Sequence, residues 1–245
     1  MINLSPELAE ICGIHVGDGY LRGKDHRKEL DISGNIEEKD YYDRHIIKLF
    51  KKVFGIDIKC RFFKSRNTYG FVIRDKEIIK FMHELGFPYG NKSTSVRIPK
   101  KILNSQDIDI KRNFLRGLFD TDGCVHFKKR DSKEKYGEFK RTHHYYPIIL
   151  FTTVSKNLNE DLIKLIIGLG FTRFGNYEYL PKKITEHKKY QLVIYGKDYL
   201  NKFFNEVGSK NPVKLSRFLL WKKQGHCPAN STYLERTEIL KSPDN

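Results

Sequence analysis

The chain has 245 residues, and its 46 lysines and arginines outnumber its 30 aspartates and glutamates, which gives a formal net charge of +16. A hydrophobic content of 39% and an aromatic content of 13% exclude a disordered chain and allow one large domain or two small ones. A chain this basic concentrates polyanions at its surface, so nucleic acid is the expected partner.

The N-terminal residues and the cysteines indicate no export. Residues 2–7 lack the basic start and apolar run of a signal peptide, and no stretch is long enough to span a bilayer. The four cysteines stand apart, at spacings typical of neither a zinc site nor a disulfide framework. We therefore expect a cytoplasmic protein with access to the nucleoid. Because the chain starts at Met1 and ends without the His-Asn pair that splicing requires, we do not expect a complete intein.

A nine-residue pattern occurs twice, 104 residues apart, as ICGIHVGDG at residues 11–19 and LRGLFDTDG at residues 115–123. Each copy is an apolar run that contains two small residues four positions apart, which places them on one helix face. These pairs are Gly13 with Gly17 and Gly117 with Thr121. Small residues on such a stripe allow two helix backbones to approach closely, so the pattern predicts two helices packed against each other.

Each copy closes on Asp-Gly, which predicts a helix end with the glycine in the left-handed conformation. Asp18 and Asp122 then lie in the last turns, where the negative end of the helix dipole disfavours a carboxylate. Two such aspartates beside two close-packing stripes indicate a pair that meets at a pseudo-twofold axis to hold a cation. His15 has Phe119 as its counterpart, so we expect it to pack between helices and not to bind metal.

The elements after the first copy recur after the second. The pattern predicts a hairpin over 20–33, a helix over 38–54 that ends at Gly55, strands over 58–63 and 69–74, and a helix over 76–85. Within the first of these strands, alternation predicts that Phe62 is buried. In the second half, the same order has helix ends at Gly170 and Gly208.

The repeat divides the chain into segments. We assign residues 1–100 to the first unit, 101–112 to a linker, 113–225 to the second unit and 226–245 to a C-terminal tail with a short helix. Each unit has the order helix, two strands, helix, two strands, helix. The predicted fold is therefore α+β, with two pseudo-symmetric αββαββα halves.

Both copies of the pattern resemble the signature of the LAGLIDADG homing endonucleases, and two copies in one chain resemble the monomeric, double-motif branch of that family. The second copy has both acids of the signature, Asp120 and Asp122, whereas the first has Val16 in place of the earlier acid. The resemblance implies that only the last acid of each copy reaches the active site. It also implies antiparallel sheets that form a saddle and a central two-helix interface.

The resemblance implies a metal-dependent endonuclease that cleaves both strands of a long, asymmetric DNA site and leaves short 3′ overhangs. Asp18 and Asp122 would coordinate Mg²⁺ together with the carbonyls of Gly17 and Thr121. Mn²⁺ is expected to substitute, and Ca²⁺ to support binding without turnover.

Two lysines resemble the basic residue that the family places beside each active site. Lys92 and Lys214 both follow the last helix of the repeated unit and would stabilise charge on the scissile phosphate. The family also places a polar residue, often Gln, at the end of the second strand. The matching regions, residues 33–35 and 154–156, contain no Gln, so this role is not assigned.

DNA recognition is expected from two sheets with basic outward faces lying along the major groove. Each basic residue alone is a phosphate contact or a solvated charge, but together they form the electrostatic surface for DNA. The candidates are Arg22, Lys24, Arg27, Lys28, Lys59, Arg61, Lys64, Arg66, Arg74, Lys128, Lys129, Arg130, Arg141, Arg173, Lys182, Lys183 and Lys188.

Two other functions fit the same scaffold. One is an RNA maturase that assists intron splicing, with RNA as the partner and idle acids. The other is a non-catalytic DNA-binding regulator. The presence of both aspartates and both lysines favours a monomeric nuclease over either alternative.

Overall fold

The computed structural model describes residues 3–23, 27–128, 146–181, 183 and 185–243. The first half contains α1 (Pro6–Asp18), β1 (Gly19–Arg22), β2 (Glu29–Asn35), a 3₁₀ turn (Ile36–Glu38), α2 (residues 39–54, with a π-helical segment at Tyr42–Ile46), β3 (Arg61–Phe63), β4 (Thr68–Ile73) and α3 (Lys76–Glu84). The second half contains α4 (Lys100–Leu103), α5 (Ile108–Asp122), β5 (Cys124–Lys128), β6 (Tyr146–Thr153), α6 (Lys156–Gly168), β7 (Phe174–Tyr179), β8 (Lys189–Tyr195), α7 (Lys197–Glu206), α8 (Pro212–Gln224) and α9 (Tyr233–Lys241).

The two motif helices begin at side-chain caps. The Ser5 hydroxyl accepts from Leu8 N at 3.2 Å at the start of α1, and the Asp107 carboxylate accepts from Asp109 N at 2.8 Å at the start of α5. Such caps satisfy backbone donors that a helix start leaves unpaired. The segment predicted as a linker, residues 101–112, is partly helical, because it contains most of α4 and the first residues of α5.

The prediction that the motif glycines are left-handed is wrong. Gly19 has φ −86° and Gly123 has φ −74°, because the chain passes from each helix directly into a strand in extended conformation. A Cβ at Gly19 would lie 2.1 Å from His15 Nδ1, and one at Gly123 would lie 2.5 Å from Phe119 Cδ2. Glycine is needed here for close approach to the preceding turn. The left-handed conformation occurs instead where other helices end, as at Gly55 with φ +71°.

The predicted contact between the motif helices is confirmed. A Cβ at Gly13 would lie 2.1 Å from the carbonyl oxygen of Phe114, and one at Gly117 would lie 2.2 Å from the carbonyl oxygen of Glu10. The α1 and α5 backbones therefore touch at both glycines, which fixes the separation of the two halves.

Each half contains a four-stranded antiparallel sheet among its described residues. The strand orders are β1-β2-β4-β3 and β5-β6-β8-β7, so the two sheets have the same topology. The strand predicted over residues 58–63 is confined to Arg61–Phe63. Phe62 is 43% exposed, contrary to the prediction that it is buried, because β3 is an edge strand that pairs only with β4.

The core lies between the sheets and the helices that cover one face of each. In the first half, Leu30 and Ile32 of β2 are fully buried, and the Phe50 ring of α2 contacts Phe71 of β4 at a centroid distance of 5.1 Å. In the second half, Phe119 and Phe203 pack at 4.8 Å. Within the described ranges, none of the helices has the length and apolar character that crossing a membrane requires. Among the described residues, no helix covers the opposite face of either sheet, where Tyr20 of β1 and Tyr177 of β7 are exposed.

Candidate active site

The two motif aspartates lie where the motif helices meet. Both helices end at the predicted residues, Asp18 and Asp122. A Cβ at Gly17 would lie 2.2 Å from Thr121 Oγ1 and 3.2 Å from Asp122 Cγ, so the last turns of the two helices are in contact. Asp18 is half-buried and Asp122 is exposed. The predicted pair of carboxylates therefore meets at the floor of the interface between the halves.

Asp18 lies in a polar pocket that the sequence did not reveal. The Tyr42 hydroxyl donates to Asp18 Oδ2 at 2.7 Å. A Cβ at Gly34 would lie 2.5 Å from Asp18 Oδ2 and 3.1 Å from Glu38 Oε2, so the absence of a side chain at Gly34 makes room for both carboxylates. Desolvation raises the pKa of Asp18 to about 7, and Glu38 adds to the rise while Tyr42 opposes it.

Glu38 connects this pocket to the second half. The Asn211 amide donates to Glu38 Oε1 at 2.9 Å and to the carbonyl oxygen of Asp120 at 2.7 Å. Lys214 Nζ lies 4.0 Å from Glu38 Oε1. Burial raises the pKa of Glu38, and Lys214 acts to lower it. Glu38 is therefore a buried carboxylate held between a neutral amide and an ammonium group.

Both predicted lysines reach the helix ends. Lys92 Nζ donates to the carbonyl oxygens of Val16 at 2.6 Å and Gly17 at 3.0 Å, and Lys214 Nζ donates to that of Gly123 at 2.7 Å. Because the C-terminal end of a helix carries partial negative charge, these carbonyls attract ammonium groups. Lys92 lies in a non-helical loop, whereas Lys214 lies in the first turn of α8, so the two are not structurally equivalent.

Each aspartate is influenced by the lysine of the opposite half. Desolvation raises the pKa of Asp122, and Lys92 and then Lys214 act to lower it. For Asp18, the lysine that lowers the pKa is Lys214. Burial lowers the pKa of Lys92 itself, and Asp122 opposes this more than Asp18 does. In the candidate site, Asp122 of the second half and Lys92 of the first half line the same cleft.

The surroundings of Asp122 differ from those of Asp18. A cleft of about 260 Å³ beside Asp122 is lined by Lys92, Ser93, Thr152, Thr153 and Lys189, among others. This cleft carries two lysines and hydroxyl groups, whereas the Asp18 pocket carries a second carboxylate and a tyrosine. The two candidate centres are thus chemically unequal.

The register of the strands corrects the match between the second strands of the two halves. Gly19 pairs with Ile32, and Cys124 pairs with Leu150, so continuing each ladder places Ser33 opposite Asp18 and Thr152 opposite Asp122. Residues 33–35 therefore correspond to residues 152–154 and not to 154–156, and this stretch also contains no Gln. Gln191 on β8 donates to Thr152 Oγ1 at 3.4 Å, a polar neighbour that only the register reveals.

Asp120, the earlier acid of the second motif, points away from the centre. It is fully buried, accepts from Ser209 Oγ at 2.5 Å and from Lys210 N at 2.7 Å, and has its pKa raised to about 7 by burial. Asp120 therefore fixes the loop that leads to Lys214. This position explains how the first motif tolerates Val16, since the earlier acid does not reach the centre.

His15 packs in the core, and its ring neighbour Phe87 lies in the loop after α3. The ring is fully buried, lies 4.4 Å from the Phe87 ring between centroids, and has no hydrogen-bond partner on either nitrogen among the described residues. Burial lowers the pKa of His15 to about 3, so the ring is neutral.

The donors at the helix ends fit a hard divalent cation. Such cations prefer carboxylate and carbonyl oxygens, which Asp18, Asp122 and the carbonyl of Gly17 supply. The Lys92 ammonium on the Val16 and Gly17 carbonyls shows that one helix end already accommodates positive charge. No cluster of three or more His, Cys, Asp or Glu side chains that could hold a metal occurs in the described part of the chain, so a metal here requires backbone, water or phosphate oxygens.

The predicted DNA-binding residues of the first half lie on its sheet or on the connections between strands. Arg22 is on β1, Arg61 on β3, Arg66 in the turn after β3, and Arg74 directly after β4. Of the others, Arg27 and Lys28 precede β2, Lys59 precedes β3, and Lys64 lies in the turn between β3 and β4. The predicted residues Lys24, Lys129, Arg130, Arg141 and Lys182 lie outside the described residues.

The described part of the second sheet presents few of the basic residues that were predicted for its outward face. Its outward face carries tyrosines with linked hydroxyls, since Tyr177 and Tyr195 lie 2.6 Å apart and Tyr179 donates to Gln191 at 3.2 Å. The predicted basic residues there are peripheral: Lys128 ends β5, Arg173 precedes β7, and Lys183 and Lys188 lie between β7 and β8, with Lys188 paired to Glu178.

Known proteins share this fold and this sequence pattern. Residues 109–208 match the family model of the LAGLIDADG-like domain. The homing endonuclease I-DmoI in complex with DNA and Mn has 18% sequence identity, a TM-score of 0.54, and a match that covers 84% of this chain and 98% of that chain. The N-terminal LAGLIDADG domain of DUF199/WhiA has 15% identity and a TM-score of 0.50, over 83% of this chain and 82% of that one.

Curated relatives match most of this chain but little of their own length. The replication factor C small subunit of Methanocaldococcus jannaschii is 31% identical over 216 residues, which are 87% of this chain and 10% of that protein. The tRNA-splicing ligase RtcB of Methanopyrus kandleri is 28% identical over 82% of this chain and 20% of that protein. The chain thus spans between a tenth and a fifth of these relatives.

The second half matches the family model, the first half repeats the same sheet topology, and the motif helices of both halves meet at their glycines. Residues 109–208 therefore form a LAGLIDADG-like domain, and the first half carries a second copy of the motif on a sheet of the same topology.

Proposed function

We propose that this chain is a site-specific, metal-dependent endonuclease that cleaves both strands of double-stranded DNA as a monomer. The observation that carries the proposal is the pair of aspartates at the touching ends of the two motif helices, with Lys92 and Lys214 anchored on carbonyls at those same helix ends. Phosphodiester hydrolysis requires a bound cation near the scissile phosphate and positive charge for the developing negative charge, and these residues supply both.

The residues have distinct roles in this proposal. Asp18 and Asp122 would hold Mg²⁺, or Mn²⁺ in its place, with the carbonyls of Gly17 and Thr121. When bound, the metal lowers the pKa of a water molecule and stabilises the departing 3′ oxygen. Tyr42 orients the Asp18 carboxylate through its hydrogen bond of 2.7 Å. Each aspartate serves one strand, and the staggered cuts leave short 3′ overhangs.

The lysines and sheets complete the site. Lys92 and Lys214 are anchored on helix-end carbonyls and carry positive charge to the place where a phosphate meets the aspartates. The outward faces of the two sheets, which no helix of the described chain covers, take the duplex on either side of the centre. Because these faces differ in composition, the bound site is asymmetric.

The curated relatives support a sequence segment that has been inserted into unrelated genes. The matching segment occurs in proteins named as a replication factor C subunit, a tRNA-splicing ligase, the helicase Hel308 and an A-type ATP synthase subunit, and it covers 10 to 24% of each. A segment shared by proteins of such different names does not take its role from any one of them. An endonuclease whose gene is copied into the sites that it cuts is expected to show this distribution.

The test uses the gene's own locus. A plasmid carries the chromosomal flanks of the gene joined without the coding sequence, and the protein is added with Mg²⁺, Mn²⁺ or Ca²⁺. We expect linear product at one position with Mg²⁺ or Mn²⁺, and binding without cleavage with Ca²⁺. Asp18→Asn and Asp122→Asn should each lose double-strand cleavage but retain binding in Ca²⁺.

Other results would contradict the proposal in distinct ways. Specific DNA binding without any cleavage in Mg²⁺ or Mn²⁺ would identify a regulator. Preferential binding of the intron RNA, unchanged by both aspartate substitutions, would identify a maturase. Full cleavage by either aspartate variant would remove that residue from the catalytic site.

A further inference from the structure

Two carboxylates lie on the outward face of the first sheet, where a polyanion is proposed to bind. Successive residues of a strand point to opposite faces, and Leu30 and Ile32 of β2 are fully buried in the core. Glu29 and Asp31 therefore point outward together with Ser33. Carboxylates on such a face repel phosphates, so their presence calls for a physical reason.

Asp31 holds one arginine in a defined place. Arg66 Nη1 donates to Asp31 Oδ2 at 2.7 Å, and Ser33 Oγ donates to Asp31 Oδ1 at 3.0 Å. The Arg66 guanidinium also lies over the Phe63 ring, 4.4 Å from its centroid, with Arg61 at 4.9 Å from the same centroid. The Asp31 side chain is 15% exposed and that of Arg66 is 44% exposed, so the acid is the inner partner of the pair.

Glu29 holds two further arginines in the same way. Arg74 Nε donates to Glu29 Oε1 at 3.0 Å, and Arg22 Nη1 lies 3.6 Å from Glu29 Oε2. Again the carboxylate is the inner partner, because the Glu29 side chain is 20% exposed and both arginines are more exposed. Three arginines of the proposed DNA surface are thus attached to two carboxylates on one strand.

An attached arginine can still bind a base. A guanidinium has five N–H donors, and one ion pair leaves several of them for another acceptor. Arginine donates two hydrogen bonds to guanine in the major groove, which is a strongly discriminating contact. Fixing the side chain beforehand reduces the rotamer entropy lost on binding and prevents the arginine from turning to an adjacent phosphate.

We propose that Glu29 and Asp31 are specificity-determining residues for DNA, an inference that rests on the proposed function. They position Arg22, Arg66 and Arg74 so that each can donate to the edge of a guanine. Their negative charge also disfavours any binding mode in which a phosphate occupies the position of that guanine. Repulsion of this kind is a common route to specificity. The described residues of the second sheet show no such acid-held arginines on the outward face, which carries Tyr177, Tyr195 and Gln191, so we assign this discrimination to one half of the target.

The experiment measures discrimination without any cleavage step. A target duplex is selected from random sequences by repeated binding to the wild-type chain in Ca²⁺. Affinities for this target and for a random duplex are then measured over a salt series for Asp31→Asn and Glu29→Gln. Glu84→Gln on α3 is the control, because it also removes a carboxylate from an ion pair, with Lys80 at 3.8 Å, but lies on a helix.

We expect both sheet variants to bind random duplex more tightly and to lose about tenfold or more of the ratio between target and random affinity. The freed arginine should add about one counterion to the salt slope for random duplex. Reselection with either variant should relax base preference in one half of the target only, and Glu84→Gln should match wild type. A target-to-random ratio equal to that of wild type in both variants, with unchanged melting, would overturn the proposal. A wild-type chain that binds selectively but never cleaves would refute the nuclease function and leave this test valid.

Discussion

Replacement of Gly13 by alanine tests the packing that brings the two motif aspartates together. The added Cβ would lie 2.1 Å from the carbonyl oxygen of Phe114 and 2.7 Å from the amide nitrogen of Leu118. Carbon atoms in ordinary contact are roughly 3.5–4.0 Å apart, so the helices would have to separate by more than about 1 Å. Both neighbours are backbone atoms in helix α5, and neither can move as a flexible side chain does.

The expected loss of stability follows from this geometry. Overpacking costs about 1–3 kcal/mol, and sometimes more. Because no side chain can yield, we expect about 3 kcal/mol for Gly13→Ala. For a chain of this length, each kcal/mol lowers the melting temperature by roughly 2–4 °C, so the shift is about 6–12 °C.

Gly168→Ala provides the matched control. Gly168 ends α6, and a Cβ there would meet nothing within 4 Å. The alanine reduces the entropy of the unfolded chain and should raise stability by about 0.4–1 kcal/mol. Thermal melting followed by circular dichroism measures both variants. If Gly13→Ala melts at or above the wild-type temperature, the motif helices do not pack backbone to backbone, and the reasoning is refuted.

Three further predictions concern single side chains. Lys92→Met and Lys214→Met should each slow cleavage at saturating protein and barely change the affinity for DNA. Lys64→Met should instead reduce the salt slope of binding by about one counterion and leave the cleavage rate of bound DNA unchanged. Normal cleavage rates in both Lys92→Met and Lys214→Met would contradict a catalytic role for these lysines. Tyr42→Phe removes the hydroxyl that donates to Asp18, so one DNA strand should be cut more slowly and nicked plasmid should accumulate. Equal slowing of both strands would contradict the assignment of one aspartate to each strand. The pKa of His15 is about 3 in the folded chain, below its unfolded value, so its contribution to stability is complete above about pH 6.5 and is lost as the pH falls towards 3. His15→Phe should therefore make the free energy of unfolding, measured in urea, less sensitive to pH across this window. An unchanged pH dependence would contradict a buried neutral ring.

The sequence by itself determined the elements whose signals are local. The two glycine stripes predicted a close helix pair, and Asp18 and Asp122 were correctly placed at the ends of those helices. Hydrophobic periodicity and helix-ending glycines such as Gly55 gave most helix ends, because capping and periodicity depend on residues within one or two turns. The repeat also located both lysines that extend to the helix ends.

Only the tertiary structure decided which residues meet across the chain. Tyr42 and Glu38 lie at least 20 residues from Asp18 in sequence and surround its carboxylate, and Asn211 of the second half in turn binds Glu38. The ion pairs of Asp31 with Arg66 depend in the same way on the register of the strands.

The inequality of the two halves also came from packing. The sequence predicted an asymmetric DNA site but not the different surroundings of the two aspartates, where a carboxylate and a tyrosine lie beside Asp18 and lysines line the cleft beside Asp122. The glycine after each motif was predicted as left-handed and is extended, since the strand that follows determines its backbone. A local sequence pattern limits the backbone conformations that a residue can adopt. The neighbours that bury the residue and shift its pKa come from elements distant in the chain.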